Sequence, residues 1–229
     1  NNIKSLENIL IKGIYSHLAC ADEKFALNPQ SNAQLQRKKF QELLKLLNID
    51  KEKNIKIHLA NSAGMMLGKD FHFDMVRVGL SMYGYKPSEN INEELFLKSA
   101  LFLKAKVTLI RNIEKGIGVS YGNKFVSDRK TKLAILSIGY ADGIFRNLSG
   151  KINLIHNKKL YPQVGSITMD QMMVDITDSS DINVGSTMLL IGSEGGQSIS
   201  AIDWADKCNS ITWEILCSFK NRLPRVQVD

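Results

Sequence analysis

The groups in this chain most suited to chemistry stand in two short runs. His58-Leu59-Ala60-Asn61-Ser62-Ala63-Gly64 brings an imidazole, a carboxamide and a hydroxyl close together, and Arg77-Val78-Gly79-Leu80-Ser81-Met82-Tyr83-Gly84 sets one guanidinium in apolar surroundings. Small polar residues at the C-terminal end of a parallel strand hold phosphates and carboxylates, and a glycine such as Gly79 lets backbone N–H groups approach an anion closely. A buried arginine demands an anionic or acceptor partner. Asp70 and Asp74 are the carboxylates nearest Arg77 in sequence. Two strand ends with anion-directed groups indicate one site built from neighbouring loops of an α/β barrel.

Other candidates are scattered along the chain. His17 precedes Ala-Cys-Ala-Asp-Glu, Tyr121 lies in Gly118-Val119-Ser120-Tyr121-Gly122, and Tyr140 lies in Ile138-Gly139-Tyr140-Ala141-Asp142-Gly143. Met169 and Asp170 fall in Val164-Gly165-Ser166-Ile167-Thr168-Met169-Asp170-Gln171, and Trp213 in Ile211-Thr212-Trp213-Glu214-Ile215-Leu216-Cys217. Each has an ordinary structural reading. A histidine closing a strand is usually structural, a tyrosine between small residues anchors a turn, and Asp142-Gly143 is β-turn chemistry.

The elements that must position these groups follow from periodicity. Leu10 to Ala19 reads as a strand ending near His17, and a polar loop runs through Asn28-Pro29. Ser31 to Leu47 predicts an amphipathic helix with Leu35, Phe40, Leu43, Leu44 and Leu47 on one broad face. Ile55 to Ala60 alternates apolar and polar residues as a half-buried strand does. A short helix is expected from Ser62 and another strand around Arg77. Strand, helix, strand is the repeat of a parallel barrel, and three such units cannot close eight strands. Ser88 to Glu94 reads as a polar loop. Strands are then expected at 101–110, 132–138, 151–155, 163–168, 172–176 and 186–191, separated by turn residues, which predicts a largely antiparallel β domain. Near the end Ser200 and Asp203 predict a capped helix that turns Trp204 and Ala205 inward. The expected organisation is a barrel portion over 1–86, a linker over 87–98 and a β domain over 99–229.

Composition sets bounds. The 229 residues are 44% hydrophobic and 23% charged, ordinary for a soluble globular protein. The formal net charge of +7 is spread in pairs such as Lys38-Lys39 and Lys158-Lys159. Without a recognition motif, this favours a solvated face or attraction of anionic ligands over nucleic-acid binding. Cys20, Cys208 and Cys217 form neither a disulfide framework nor a zinc pattern, no metal site is expected, and the odd count suits a reducing, cytoplasmic compartment. No apolar run reaches membrane-spanning length and no signal peptide is recognisable, although a targeting segment upstream of Asn1-Asn2 remains open.

Taken together, H-x-A-N-S-A-G, R-x-G-x-x-M-Y-G, G-V-S-Y-G, I-G-Y-A-D-G and V-G-x-x-x-M-D-Q, in this order, resemble the alanine racemase family, pyridoxal-phosphate enzymes of fold type III. The resemblance implies a TIM-type barrel, here its last three βα units, followed by the β domain. It implies that His17 lines the cofactor and orders Arg77, that His58 supports the same arginine, and that Arg77 faces the pyridine nitrogen. A guanidinium cannot supply a proton at neutral pH, so the ring nitrogen would stay unprotonated and transamination would be discouraged. Asn61, Ser62, Gly79 and Leu80 would hold the cofactor, the last two through backbone N–H groups on its phosphate.

The resemblance also makes Tyr121 a catalytic base, paired with a cofactor-bearing lysine on the opposite face of the substrate. A racemase needs two bases because the proton leaves one side and returns on the other. A free phenol titrates near 10, so Tyr121 would need help, and His17 of the other subunit is its implied neighbour. Tyr140 would gate the substrate path, Met169 would offer a backbone N–H to the substrate carboxylate, and Asp170 would border the access corridor. The implied protein is a head-to-tail homodimer supplying D-alanine for cell-wall peptidoglycan, with no nucleic-acid or membrane partner.

Two departures stand out. The C-terminal motif carries Trp213 where the family has a phosphate-binding tyrosine; an indole N–H donates one hydrogen bond, but with different reach. Nothing here matches the V-K-A-N-A-Y-G-H-G-like segment of the cofactor-linking lysine, or the early substrate-carboxylate arginine. The expectation is therefore an N-terminally truncated member, inactive alone. Two other readings stay open: a fold-type III racemase or decarboxylase acting on another amino acid, and a non-catalytic fragment that binds or pairs without chemistry.

Overall fold

The computed structural model describes residues 3, 6–49, 54–91 and 95–228. Two compact units make up the chain, Asn1–Ala100 and Leu101–Asp229.

In the first unit β1 (Gly13–Tyr15) pairs in parallel with β2 (Lys56–His58), in the register Gly13↔Lys56, Ile14↔Ile57, Tyr15↔His58. Between them runs α1 (Asn32–Leu46). Ser31 starts it by accepting from the Gln34 N–H at 3.2 Å, while its own hydroxyl donates to the Ala26 carbonyl at 2.7 Å. Ala33, Phe40 and Leu44 are the buried residues of α1, and they join a core with Leu18, Ile55, Leu59 and Phe71. The buried stripe is narrower than the sequence suggests, because Leu35 and Leu43 are exposed. Leu35 lies roughly 200° around the helix from Ala33, so both cannot face one core.

α2 (Ser62–Leu67) follows β2 directly. The stretch around Arg77, expected as a third strand, forms no regular ladder. Asp74 N–H donates to the Ile57 carbonyl and Arg77 N–H to the Ala60 carbonyl, both at 2.9 Å. The Ile57 N–H, however, donates to the Asp74 carboxylate at 2.7 Å. A side chain thus takes the place of a strand carbonyl, and at Gly79 (φ −111°, ψ −94°) the chain turns into a 3-10 turn, Leu80–Tyr83. Of the polar loop expected over 88–94, residues 92–94 lie outside the described residues.

The second unit is a β structure built from β3 (Leu103–Ile113), β4 (Gly118–Val119), β5 (Phe125–Val126), β6 (Thr131–Leu136), β7 (Asn153–His156), β8 (Lys159–Val164), β9 (Met172–Asp175), β10 (Thr187–Glu194) and β11 (Gln197–Ile199). The order of the main sheet is β11-β10-β3-β6-β9-β8-β7, every pairing is antiparallel, and β7 also pairs with β10. Six strands, β10-β3-β6-β9-β8-β7, therefore close on themselves, and β11 stays outside the ring as an outer strand on β10. Leu136, Leu154, Met172, Val174, Met188 and Leu190 are all buried.

Strand boundaries differ from the sequence expectation in both units: the strand expected over Leu10–Ala19 is Gly13–Tyr15, and that expected at 101–110 is Leu103–Ile113. The strand expected at 163–168 runs instead from Lys159 to Val164, and Gly165 (φ +68°) breaks it. α3 (Ala201–Cys208) begins with the expected capping box: Asp203 N–H donates to Ser200 Oγ at 3.1 Å and Ser200 N–H to the Asp203 carboxylate at 2.6 Å. Trp204 and Ala205 are buried. A second short helix, α4 (Thr212–Ser218), was not anticipated.

Candidate functional site

In the first unit the end of β2 and the start of α2 set the polar groups. Asn61 caps α2, its side-chain oxygen accepting from Gly64 N–H at 3.0 Å while its amide donates to the Leu18 carbonyl at 3.1 Å. Buried Ser62 accepts from the Gly79 N–H at 2.9 Å and from the Ser81 N–H at 3.4 Å. A hydroxyl has two acceptor positions and one proton. With both positions filled by backbone, Ser62 is left as a donor, the polarity an anion requires. Leu80 N–H opens the 3-10 turn, where a helical N–H lacks an intrahelical acceptor. Ser81 Oγ is buried and without a partner among the described residues.

Arg77 is held from several sides. It donates to His58 Nδ1 at 2.8 Å, to the Ser16 carbonyl at 2.9 Å and to the Leu59 carbonyl at 3.3 Å. Neither suggested aspartate is its partner: Asp70 pairs with Arg37 at 3.4 Å, and Asp74 accepts from Ile57. Because a guanidinium only donates, His58 Nδ1 must be the bare nitrogen and Nε2 carries the proton. Burial, and then the Arg77 charge, hold the His58 imidazole below its ordinary value of 6.5, so it stays neutral at pH 7.

Tyr15, passed over in the sequence, completes this group. Its ring stacks on His58 at 5.3 Å and 10°, and the Arg77 guanidinium carbon lies 5.1 Å from its centroid. The strand register that sets Tyr15 beside His58 leaves no mark in the sequence. His17 is more loosely placed, with Nδ1 3.4 Å from Arg77 and Nε2 3.5 Å from the Asn61 amide. A neutral imidazole has one acceptor nitrogen, so it accepts from only one of these donors at a time.

In the second unit three of the motifs meet. Ser120 (φ +65°) donates from its hydroxyl to the Ser166 carbonyl at 2.7 Å, and Ser166 Oγ donates to the Tyr121 carbonyl at 2.9 Å. Tyr140 N–H donates to the Thr168 carbonyl at 2.9 Å and Ala141 N–H to the Met169 carbonyl at 3.0 Å. This approach requires a glycine: a Cβ on Gly139 would stand 2.3 Å from the Thr168 oxygen. The Asp142-Gly143 pair closes a 3-10 turn, Tyr140–Asp142, whose Asp142 carboxylate accepts from the Gly139 N–H at 2.9 Å. Tyr121, Tyr140 and Met169 are all exposed. Arg222, unremarked in the sequence, pairs with Asp170 at 2.6 Å and Asp142 at 3.3 Å. Trp213 sits on α4, partly exposed.

The unit with the Arg77 group and the unit with the Tyr121 group each match a known domain. The alanine racemase N-terminal domain profile matches residues 1–87, and the alanine racemase C-terminal domain profile matches residues 100–227. Alanine racemase of Prochlorococcus marinus is 48% identical over 99% of this chain and 58% of its own length; that of Synechocystis is 43% identical over 99% and 60%. The chain thus spans about three-fifths of the curated relatives it matches.

Solved structures agree. Alanine racemase of Clostridium difficile in complex with cycloserine is similar at a TM-score of 0.85 and 32% identity, over 96% of this chain and 57% of that one. The Bartonella henselae enzyme with covalently bound pyridoxal phosphate is similar at 0.78 and 35%, over 95% and 57%. With one domain profile covering more than half of its residues, the chain belongs to the alanine racemase family.

Proposed function

We propose that this chain provides the later barrel segments (1–86), a linker (87–98) and the β domain (99–229) of a pyridoxal-phosphate-dependent alanine racemase, which interconverts L- and D-alanine by two-base proton transfer. The observation that carries the reading is Ser62, whose acceptor positions are filled by Gly79 and Ser81 N–H groups so that its own proton is left to donate. With the unpartnered Ser81 hydroxyl nearby in sequence and the firmly held Arg77, this donor set fits a phosphorylated aromatic aldehyde.

Ser62, Gly79 and Leu80 would bind the phosphate, with Asn61 ordering the helix start and Trp213 the candidate replacement for a phosphate-binding tyrosine. Arg77, supported by His17 and His58, would keep the ring nitrogen without a proton. Bound pyridoxal phosphate supplies the electron withdrawal that makes an α-proton removable. Tyr121 would take or return that proton on one face. Met169 N–H would hold the substrate carboxylate, and Tyr140 and Asp170 would control access. The reading includes a cytoplasmic homodimer whose sites combine one subunit's barrel with the other's Tyr121, and a D-alanine supply for peptidoglycan. No segment of the 229 residues matches that of the cofactor-linking lysine, so turnover is assigned to the protein that carries it.

The test has two arms. Pyridoxal phosphate titrated into this chain should bind without a covalent link, and Ser62→Ala should weaken binding at least tenfold. L-alanine should become D-alanine only when the lysine-bearing segment is joined to the chain. Conversion by these residues alone would place another lysine in that role; no conversion by the extended chain would overturn the reading.

A further inference from the structure

We propose that Arg222 is a positioning residue that locks the Tyr140 and Met169 segments together by bridging Asp142 and Asp170. The relevance to substrate access rests on the racemase reading; the clamp itself does not.

A surface ion pair ordinarily contributes little. Three observations set this one apart. First, one guanidinium meets two carboxylates from segments far apart in sequence, through Nε to Asp142 at 3.3 Å and through a terminal nitrogen to Asp170 at 2.6 Å. Second, Asp142 is buried, and among the described residues Arg222 is the one cation within 4.0 Å of it. A buried carboxylate left without its cation is costly. The other oxygen of the same carboxylate accepts from Gly139 N–H, so the charge balance of Asp142 and the shape of the Tyr140 turn are one problem. Third, the Arg222 segment is fastened to that turn independently. Ser218 Oγ donates to the Gly143 carbonyl at 2.8 Å, and a Cβ on Gly143 would lie 2.4 Å from the Ser218 oxygen.

Asp142 lies two residues from Tyr140, and Asp170 follows Met169. Neutralising both carboxylates at once fixes the spacing of these two exposed side chains. Without Arg222 the segments keep, among the described residues, the backbone bonds Tyr140 N–H to Thr168 and Ala141 N–H to Met169, while two like charges act to part them.

The experiment is amide hydrogen exchange on this 229-residue chain. Arg222→Gln should speed exchange at Tyr140 and Ala141 at least tenfold while leaving the β6 amides unchanged. Arg222→Lys, which keeps the charge but lacks the fork that spans two carboxylates, should recover part of the protection. High salt should speed the same two amides in the parent and slow them in Arg222→Gln, where it screens the repulsion left between Asp142 and Asp170, a reversal that packing alone would not give. Asp170→Asn, which alters only the exposed partner, should give a smaller acceleration at the same sites even if Arg222→Gln folds poorly. Unchanged exchange at Tyr140 and Ala141, or equal acceleration throughout the sheet, would overturn the proposal. Failure of the racemase reading would appear instead as absent pyridoxal phosphate binding and would leave these rates untouched.

Discussion

Arg77 donates to His58 Nδ1 at 2.8 Å, so a side chain with no acceptor dictates which imidazole nitrogen is bare. Tyr15 covers the His58 ring on one face and lies against the guanidinium. The three groups form a unit in which the charge belongs to Arg77 alone. A second proton on His58 would have to displace the arginine bond and would sit beside a like charge.

The pH dependence follows with a definite sign. His58 has a folded-state pKa below 6.5, through burial first and Arg77 second, so the unfolded chain takes the proton more readily. Its contribution to stability is complete above about 6.5 and is lost as pH falls from there toward the depressed folded value. Denaturant melts should therefore show a lower midpoint at pH 5.5 than at 7.5, with part of the difference removed in His58→Asn. In Arg77→Gln the His58 ring proton, followed by NMR, should titrate higher than in the parent but still below 6.5, because burial remains. A titration at or above 6.5 in the parent would contradict the arrangement.

Ser62→Ala should be costly for a hydroxyl replacement. It removes the acceptor that buried Ser62 offers to the Gly79 and Ser81 N–H groups. Two lost hydrogen bonds at about 0.5–1.5 kcal/mol each give an expected loss of about 1–3 kcal/mol in urea unfolding. A change below about 0.5 kcal/mol would mean that water replaces the hydroxyl freely.

How much of this was legible depended on whether the signal was local. Ser31 before an apolar period, and Ser200 with Asp203, are complete within a few residues, and both helices begin there. The motifs around Tyr121, Tyr140 and Met169 were visible as motifs, but the hydrogen bonds that join them depend on sheet closure. The Arg77 stretch looked like a strand because its apolar run is real; what breaks the ladder is one carboxylate, Asp74, reaching Ile57. Gly165 looks like part of a strand because its need for glycine, a positive φ together with a Val119 carbonyl 2.7 Å from where a Cβ would be, comes from a partner distant in sequence. α4 is too short for its period to stand out. Tyr15 and Arg222 give no local signal, since the separation in the chain is 43 residues for Tyr15–His58 and 52 for Arg222–Asp170.

A pair of glycine substitutions separates close approach from backbone strain. In Gly139→Ala the new methyl would meet the Thr168 oxygen at 2.3 Å and the Met169 oxygen at 2.4 Å, both backbone atoms. In Gly150→Ala it would meet nothing within 4 Å, but φ is +72°. Left-handed strain costs roughly 1–2 kcal/mol, and that should be the whole effect at Gly150. Gly139→Ala should cost at least as much, about 1–3 kcal/mol or more from overpacking, and should also release the Tyr140 and Ala141 amides to exchange. Equal losses with unchanged exchange would show that the two segments shift apart without consequence.

Tyr121→Phe should separate chemistry from folding. The residue is 71% exposed, and among the described residues its phenolic oxygen makes no hydrogen bond; the bond at this position, from Ser166 Oγ, goes to the backbone carbonyl and survives the substitution. Exposed substitutions away from special features usually stay within about 0.5 kcal/mol, so thermal and denaturant midpoints should not move. In the lysine-bearing protein the same change should cut alanine racemisation by about 10²–10⁴-fold, the usual contribution of a positioned acid or base, with pyridoxal phosphate still bound. Proton exchange from solvent should become one-sided, faster from one alanine enantiomer than the other, since only one face loses its base. Symmetric slowing would point to lost positioning, and undiminished turnover would remove Tyr121 from the proton path.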